Sequence, residues 1–396
     1  GAGADAAGSA AAVRRHTIGG VPSAPGRSGS GQVLLLDAKR AQNLAIVLRQ
    51  VPIATEELSE VLRWMRLSHP VTVDALEHIS DNLLPPLLES SEELARYDGP
   101  PEALRDVERQ LLPLARLPRL KARLQIMLFS KNVPVLHGNL LSRIRALRDA
   151  CAEVRGSHAL RQVFGTVLRV GNYLNHGVDA PDAGGGVEVR GFTVESLLKL
   201  RDFRAAQGGE VSALHCVVLH LLPSSPQLLA QLRAELRAVL APGDGGAGGQ
   251  AGSCIADLRD AVARFRSETD LVQGEIERFA DCYRWDGGSA DSPGALGALQ
   301  RLVEDAGELA QGLREALAEA QTDAQRLLEY FGEQRRAAGC AGGNPAGGTS
   351  TVAWDDEASG SVERFFATIR EFVVSFEDCW REVLEQPRRL RLEAAR

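Results

Sequence analysis

Apolar residues recur at helical spacing through most of the chain. Between Asn139 and Arg155, Leu140, Ile144, Leu147, Cys151 and Val154 fall on one stripe. Ser157 stands where it can cap a following helix, in which Leu160, Val163, Phe164, Val167 and Leu168 repeat at i, i+3, i+4. Ile255, Leu258, Val262, Phe265, Val272, Ile276 and Phe279 keep a seven-residue repeat, with Thr269 as its polar interruption. Leu299, Val303, Ala306, Ala310, Leu313, Leu317, Ala320, Ala324, Leu327 and Phe331 keep it for longer. Alternating steps of three and four predict supercoiled helices packed along a narrow seam. The small residues Ala306, Ala310, Ala320 and Ala324 allow a close approach there. Val362, Phe365, Ile369, Phe372, Phe376 and Trp380 predict a last amphipathic helix. No stretch alternates with period two, so the expected fold class is all-α, elongated and multi-helical.

Breaks in this pattern divide the chain. Residues 1–31 contain 20 Gly, Ala or Ser and read as a flexible low-complexity tail. Residues 32–390 form the expected helical domain, with Gly-rich insertions near 182–186, 242–252, 286–294 and 339–348. The chain begins with Gly, which suggests a processed product or a piece of a longer protein. No apolar run approaches the roughly 18 residues of a membrane span.

Composition sharpens the reading in two places. The chain has 396 residues and a net charge of −7, but the charge is uneven. Arg116–Arg204 carries 15 basic and 7 acidic residues, net +8, whereas Ser253–Arg336 carries 10 basic and 17 acidic, net −7. A basic segment of this kind predicts an acidic partner surface or a polyanion. The six cysteines, Cys151, Cys216, Cys254, Cys282, Cys340 and Cys379, never reach C-x-x-C spacing. They read as thiols on helix faces in a reducing compartment rather than as disulfides.

Catalytic motifs fail their context. Gly243–Gly248 has the form G-x-G-x-x-G, but it follows Pro242 and a helix, not a strand. Asp179 and Asp182 lack the further oxygens of a calcium loop. His215, Cys216 and His220 lie together but offer no fourth zinc ligand at usable spacing, so a buried helix-face role is the stronger reading. No pair of carboxylates stands out as general acid and base. An enzyme is therefore disfavoured, and no cofactor or metal is expected. Nucleic acid remains a rival partner for the basic segment. Arg143, Arg145, Arg148, Arg155, Arg161 and Arg169 spread around their helices, however, and the nearby aromatics sit on apolar faces.

The most distinctive string is Gly171-Asn172-Tyr173-Leu174-Asn175-His176-Gly177. Gly171 inside a helix permits a close backbone approach. Asn172 and Asn175 can bond backbone groups where the helix ends, and Gly177 can terminate it. The string resembles the signature of the formin homology 2 domain. Other motifs follow in the family's order. Leu36–Leu48 resembles its knob helix. Pro118–Leu124 with Phe129 resembles its middle motif, and Ala150–Ser157 the helix before the signature. Gly191–Asp202 resembles the motif after it, followed by Leu214-His215. Glu329–Glu333 and the Phe-rich last helix complete the series.

The resemblance implies a fold of knob, coiled-coil-like bundle and post, and a non-enzymatic function. Such domains bind actin, nucleate filaments and stay on the growing barbed end in the cytoplasmic actin cytoskeleton, working as head-to-tail homodimers. Carried over by position, Ile46 is the knob residue that enters actin's apolar cleft. Arg204 replaces a basic residue, usually Lys, that meets actin's acidic surface. Lys39, Arg40, Lys199 and Arg201 add charge beside these two. Gly171, Asn172, Tyr173, Leu174, Asn175 and Gly177 mark the post, where a partner's lasso docks. The family's lasso carries tryptophans, and residues 1–31 contain none, so the expectation is weakened dimerisation. The alternative to an actin-binding domain is a helical scaffold whose basic face binds nucleic acid or phospholipid.

Overall fold

The structure is a computed structural model that describes residues 26–27, 33–176, 191–204, 211–241, 255–285, 292–333 and 356–387. The chain divides into two compact units, Gly1–Leu128 and Phe129–Arg396. The Gly-rich stretches at 182–186, 242–252 and 339–348, together with Gly177, Cys254 and Cys340, lie outside the described residues. So do the side chains of Asn175, His176, Phe279 and Cys282.

The first unit opens with a short ladder. Strand β1 (Gly26–Arg27) pairs antiparallel with β2 (Val33–Leu34), in the register Gly26↔Leu34 and Arg27↔Val33. No period-two alternation marks it, because two residues per strand are too few to show one. Helix α1 (Ala38–Leu48) starts where Asp37 accepts the Arg40 N–H at 2.8 Å. Helices α2 (Thr55–Arg63) and α3 (Val73–His78) follow, the latter capped by Thr72. The helix then widens into a π turn over Ile79–Leu83 before α4 (Leu84–Ala95). Pro85 and Pro86 lack the N–H groups that would continue an α ladder into this turn, so the register change falls there. Helix α5 (Asp106–Ala115) completes the unit. Its core is a leucine cluster in which Leu44, Leu58, Leu62, Leu76, Leu83 and Leu111 are fully buried.

Helix α6 (Leu120–Gly156) runs on past the end of the first unit, which falls at Leu128. In the second unit α6 breaks at Ser157 and α7 (His158–His176) begins. The Ser157 hydroxyl accepts the Leu160 N–H at 3.0 Å, as its spacing predicts. Then come α8 (Ser196–Asp202), α9 (Ala213–Leu221), α10 (Leu228–Glu235) and the single turn α11 (Arg237–Leu240). The long helices α12 (Ile255–Trp285) and α13 (Ser292–Phe331) form the most extensive helix pair. Helix α14 (Asp356–Glu385) closes the unit.

Most heptad positions of α12 and α13 are buried as the sequence predicts, while Ile276, Val303 and Phe331 are half-buried. Ile255, Leu258, Val262, Phe265 and Val272 face inward from α12. Leu299, Ala306, Ala310, Leu313, Leu317, Ala320, Ala324 and Leu327 do so from α13. Thr269 is buried too, and its hydroxyl is satisfied by the Phe265 carbonyl at 3.0 Å. Phe129 of α6 meets Phe265 edge-on at 5.4 Å. Gly332 ends α13 with φ +72°, where a side chain would be strained. The bonds from Gly332 N to Glu329 O and from Glu333 N to Leu328 O close a Schellman cap.

Two helix corners exchange carboxylates. Glu153 of α6 accepts the N–H groups of Ala238 and Val239 at 2.7 and 3.3 Å, at the start of α11. Glu235 of α10 accepts the Ser157 hydroxyl at 2.7 Å and the Ala159 N–H at 3.0 Å, at the start of α7. Arg370 of α14 then donates to the carbonyls of Val239 and Ala241 at 2.6 and 2.8 Å. The stripe on α14 fills the remaining space, with Val362, Phe365, Ile369, Phe372, Phe376 and Trp380 all buried. Among the described residues no helix is long and apolar enough to cross a membrane.

Candidate functional site

Helix α1 presents an apolar side chain outward. It buries Ala41 and Leu44 against the leucine cluster. Ile46 lies two residues past Leu44, about 200° around the helix, and is 51% exposed. Its side chain is therefore not core. Lys39 and Arg40 are exposed on the first turn of the same helix, and Arg40 pairs with the capping Asp37 at 3.2 Å.

The residues expected to form the post are all in the second unit. Phe192 packs edge-on against Phe164 of α7 at 5.7 Å, which ties the segment before α8 to the signature helix. Glu333, just beyond the α13 cap, accepts the Val194 N–H at 3.2 Å and fixes the same segment. Helix α8 thus presents Lys199 and, just past its end, Arg204, both exposed. Arg204 sits in an antiparallel bridge with Ser212, and the Phe203 carbonyl accepts the Ala213 N–H at 2.9 Å.

Arg201, expected from the sequence to face a partner, also has acidic partners within the chain. Its guanidinium reaches Asp378 at 3.2 Å and Glu382 at 3.4 Å on α14. The hydrogen bond to Asp378 leads the effects that raise its pKa, so its charge is held inside the chain. Sequence period could not show this, because the carboxylates lie 177 and 181 residues away.

The +8 segment is also partly neutralised from within. Arg148 of α6 pairs with Glu319 at 2.7 Å and Asp323 at 3.2 Å on acidic α13. Arg161 donates to the carbonyls of Ser157 and Gly156, and Arg155 lies 5.9 Å from the Tyr330 ring centroid. Part of the charge split is thus an internal match, and it calls for less of a partner than the sequence suggests.

At the end of α7, Tyr173 is 59% exposed and Leu174 49% exposed, while Gly171 and Asn172 are half-buried. Among the described residues a Cβ on Gly171 would meet nothing within 4 Å, and the close approach expected there is not made, so the glycine leaves an open notch beside two exposed apolar side chains.

His215 is buried, and its ring is engaged on both sides. Nδ1 accepts the Ser212 N–H at 3.1 Å, and Nε2 lies 2.8 Å from Glu382. With Cys379, these residues place three ligand-type atoms within 4.8 Å of one another. Burial pushes the Cys379 thiol up to about 12, so it is a poor source of thiolate. The Nδ1 contact leaves the Nε2 proton to bond Glu382, which makes this a helix cap and an interhelical bond. The carboxylate partner, 167 residues away, is what sequence reasoning on His215 missed. Cys151 is likewise buried, and its thiol is pushed up to about 12 by burial and by Asp323.

Comparison with known proteins adds a consistent set of similarities. The family model described as Formin Homology 2 Domain matches residues 23–340. Formin-like protein 14 of Arabidopsis thaliana is 28% identical over 314 residues, covering 78% of this chain and 23% of its own length. Formin-like protein 5 of Oryza sativa subsp. japonica is 26% identical over 329 residues, covering 81% of this chain and 18% of its own. Formin-like protein 17 of Arabidopsis thaliana is 31% identical over 200 residues, covering 50% of this chain and 38% of its own. The chain therefore spans well under half the length of these relatives.

Proposed function

The chain belongs to the formin homology 2 family, and from that premise we propose that it binds actin, nucleates filaments and remains at the growing barbed end. The observation that carries this reading is Ile46. A β-branched apolar side chain stands half in solvent on a helix whose other apolar face is buried. Its position matches the family's knob isoleucine. Seating it in an apolar cleft is worth about 1.5–3 kcal/mol.

Lys39, Lys199 and Arg204 support the reading, because exposed cations steer an acidic partner and fix its orientation. The work asked of the domain is positional and needs no chemistry. Holding subunits in a filament-like arrangement lowers the entropic cost of the nucleus. A second copy would strengthen this, and the notch at Gly171 beside Tyr173 and Leu174 is the surface we assign to it. Such a protein works in the cytoplasm, on the actin cytoskeleton.

Bulk actin assembly kinetics, read alongside the protein's mass by light scattering in the same buffer, test the proposal. Faster filament nucleation in the protein's presence is the expected result, and the mass measured alongside tells whether one copy or two produces it. Absence of any effect on assembly, with no co-sedimentation on filaments, would overturn it.

A further inference from the structure

Glu108 of α5 has a fully buried side chain, at 0% exposure. One oxygen, Oε1, accepts the N–H groups of Leu35 and Leu36 at 2.9 and 2.8 Å, across more than 70 residues of sequence. Arg105 lies 2.6 Å from the same oxygen and also donates to the Leu36 carbonyl. Its own N–H reaches Oε2 at 3.3 Å. Leu104 adds a parallel bridge to Val33. The residues just before α1 are thus fixed to the start of α5 through backbone groups and one buried ion pair.

Helix α1 fully buries Ala41 and Leu44 and packs Val47 and Leu48 against the leucine cluster, and its start at Asp37, directly after Leu36, is set by this latch. Ile46 lies two turns further on. A small tilt at the first turn displaces Ile46 in proportion to its distance from the pivot. We infer that Glu108 is a positioning residue for Ile46: it never meets the partner but holds the helix that presents the isoleucine. This rests on the reading of Ile46 as an actin contact.

Glu108→Gln keeps the shape but turns one acceptor into a donor facing N–H groups. Hydrogen exchange of the α1 amides in the actin-free protein is the first readout. They are expected to exchange at least ~10-fold faster, while the amides of α4, in the same unit, stay unchanged. Unchanged α1 exchange, or equal acceleration across both helices, would overturn the inference.

The second readout is a pair of double-mutant cycles in actin binding. Glu108→Gln alone is expected to weaken binding roughly 3–10-fold. Combined with Ile46→Ala it adds almost nothing further, while combined with Arg204→Ala the losses multiply. Losses that multiply in both cycles would mean that Glu108 does not act through Ile46. If Ile46→Ala alone leaves binding intact, the actin reading of Ile46 has failed, and the exchange result still decides whether the latch orients α1.

Discussion

The imidazole of His215 on α9 meets the carboxylate of Glu382 on α14 at 2.8 Å, and the same carboxylate holds Arg201 of α8. Helix α14 lies beyond residue 340, where the family match stops, yet it ties α8 and α9 together and supplies the phenylalanine core. Removing residues 356–396 is therefore expected to abolish cooperative unfolding of the second unit. The milder Glu382→Gln should cost about 1–3 kcal/mol. Denaturant melts followed by circular dichroism measure both.

Ile46→Ala should separate stability from binding. Its side chain is half exposed, so the change in unfolding free energy should stay within about 0.5 kcal/mol. Affinity for actin should fall roughly tenfold or more. Co-sedimentation and a thermal melt on one preparation check the two halves together.

Stability should decline in acid through two identified carboxylates. Burial alone would raise the pKa of Glu108, but Arg105 and the Leu36 and Leu35 amides outweigh it and hold the value below the ordinary 4.5. Glu235 is lowered in the same way, with the Ser157 hydroxyl and the Ala159 and His158 amides overcoming burial. A depressed carboxylate contributes fully above its unfolded pKa and loses that contribution as pH falls through the folded value. Wild type should therefore lose stability progressively below pH 4.5, and Glu108→Gln should lose less over the same window. Denaturant midpoints across an acid series give the comparison.

The seam between α12 and α13 should resist enlargement. Ala306, Ala310 and Ala320 are fully buried there. Ala310→Leu is expected to cost about 1–3 kcal/mol by overpacking, whereas exposed Glu315→Ala should be close to neutral. Chemical denaturation of the two variants tests this.

Gly171→Ala should have opposite effects on one copy and on two. With no described atom within 4 Å of the added carbon, the helix should gain about 0.5–1 kcal/mol. If a second copy closes over the notch, self-association should weaken. A higher melting temperature with a lower dimer fraction in sedimentation is the expected combination.

Much of this architecture is legible from residue spacing, because period reports which face of a helix is covered. The stripes on α6, α12, α13 and α14 and the Ser157 cap follow directly. Period does not report what covers a face, so the partners of Arg148, Arg201 and His215 lie beyond it. Ile46 is the instructive case. Set among Leu44 and Leu48 it reads as core, yet helical phase from the buried pair Ala41 and Leu44 turns it outward. Glu108 was not distinguished at all, since one carboxylate in a helix's first turn looks like ordinary capping.

The carboxylates traded between Glu153 and Glu235 bear on the order of folding. Each of two sharp corners holds the group that completes the other, so neither gains its full stabilisation before both chain segments have met. The corner at Ser157 and the corner at Leu236 should therefore form in a single kinetic event, late enough for residues 153 and 239 to have come together. Substitutions at the two glutamates would then divide their effect between the folding and unfolding rates in the same proportion.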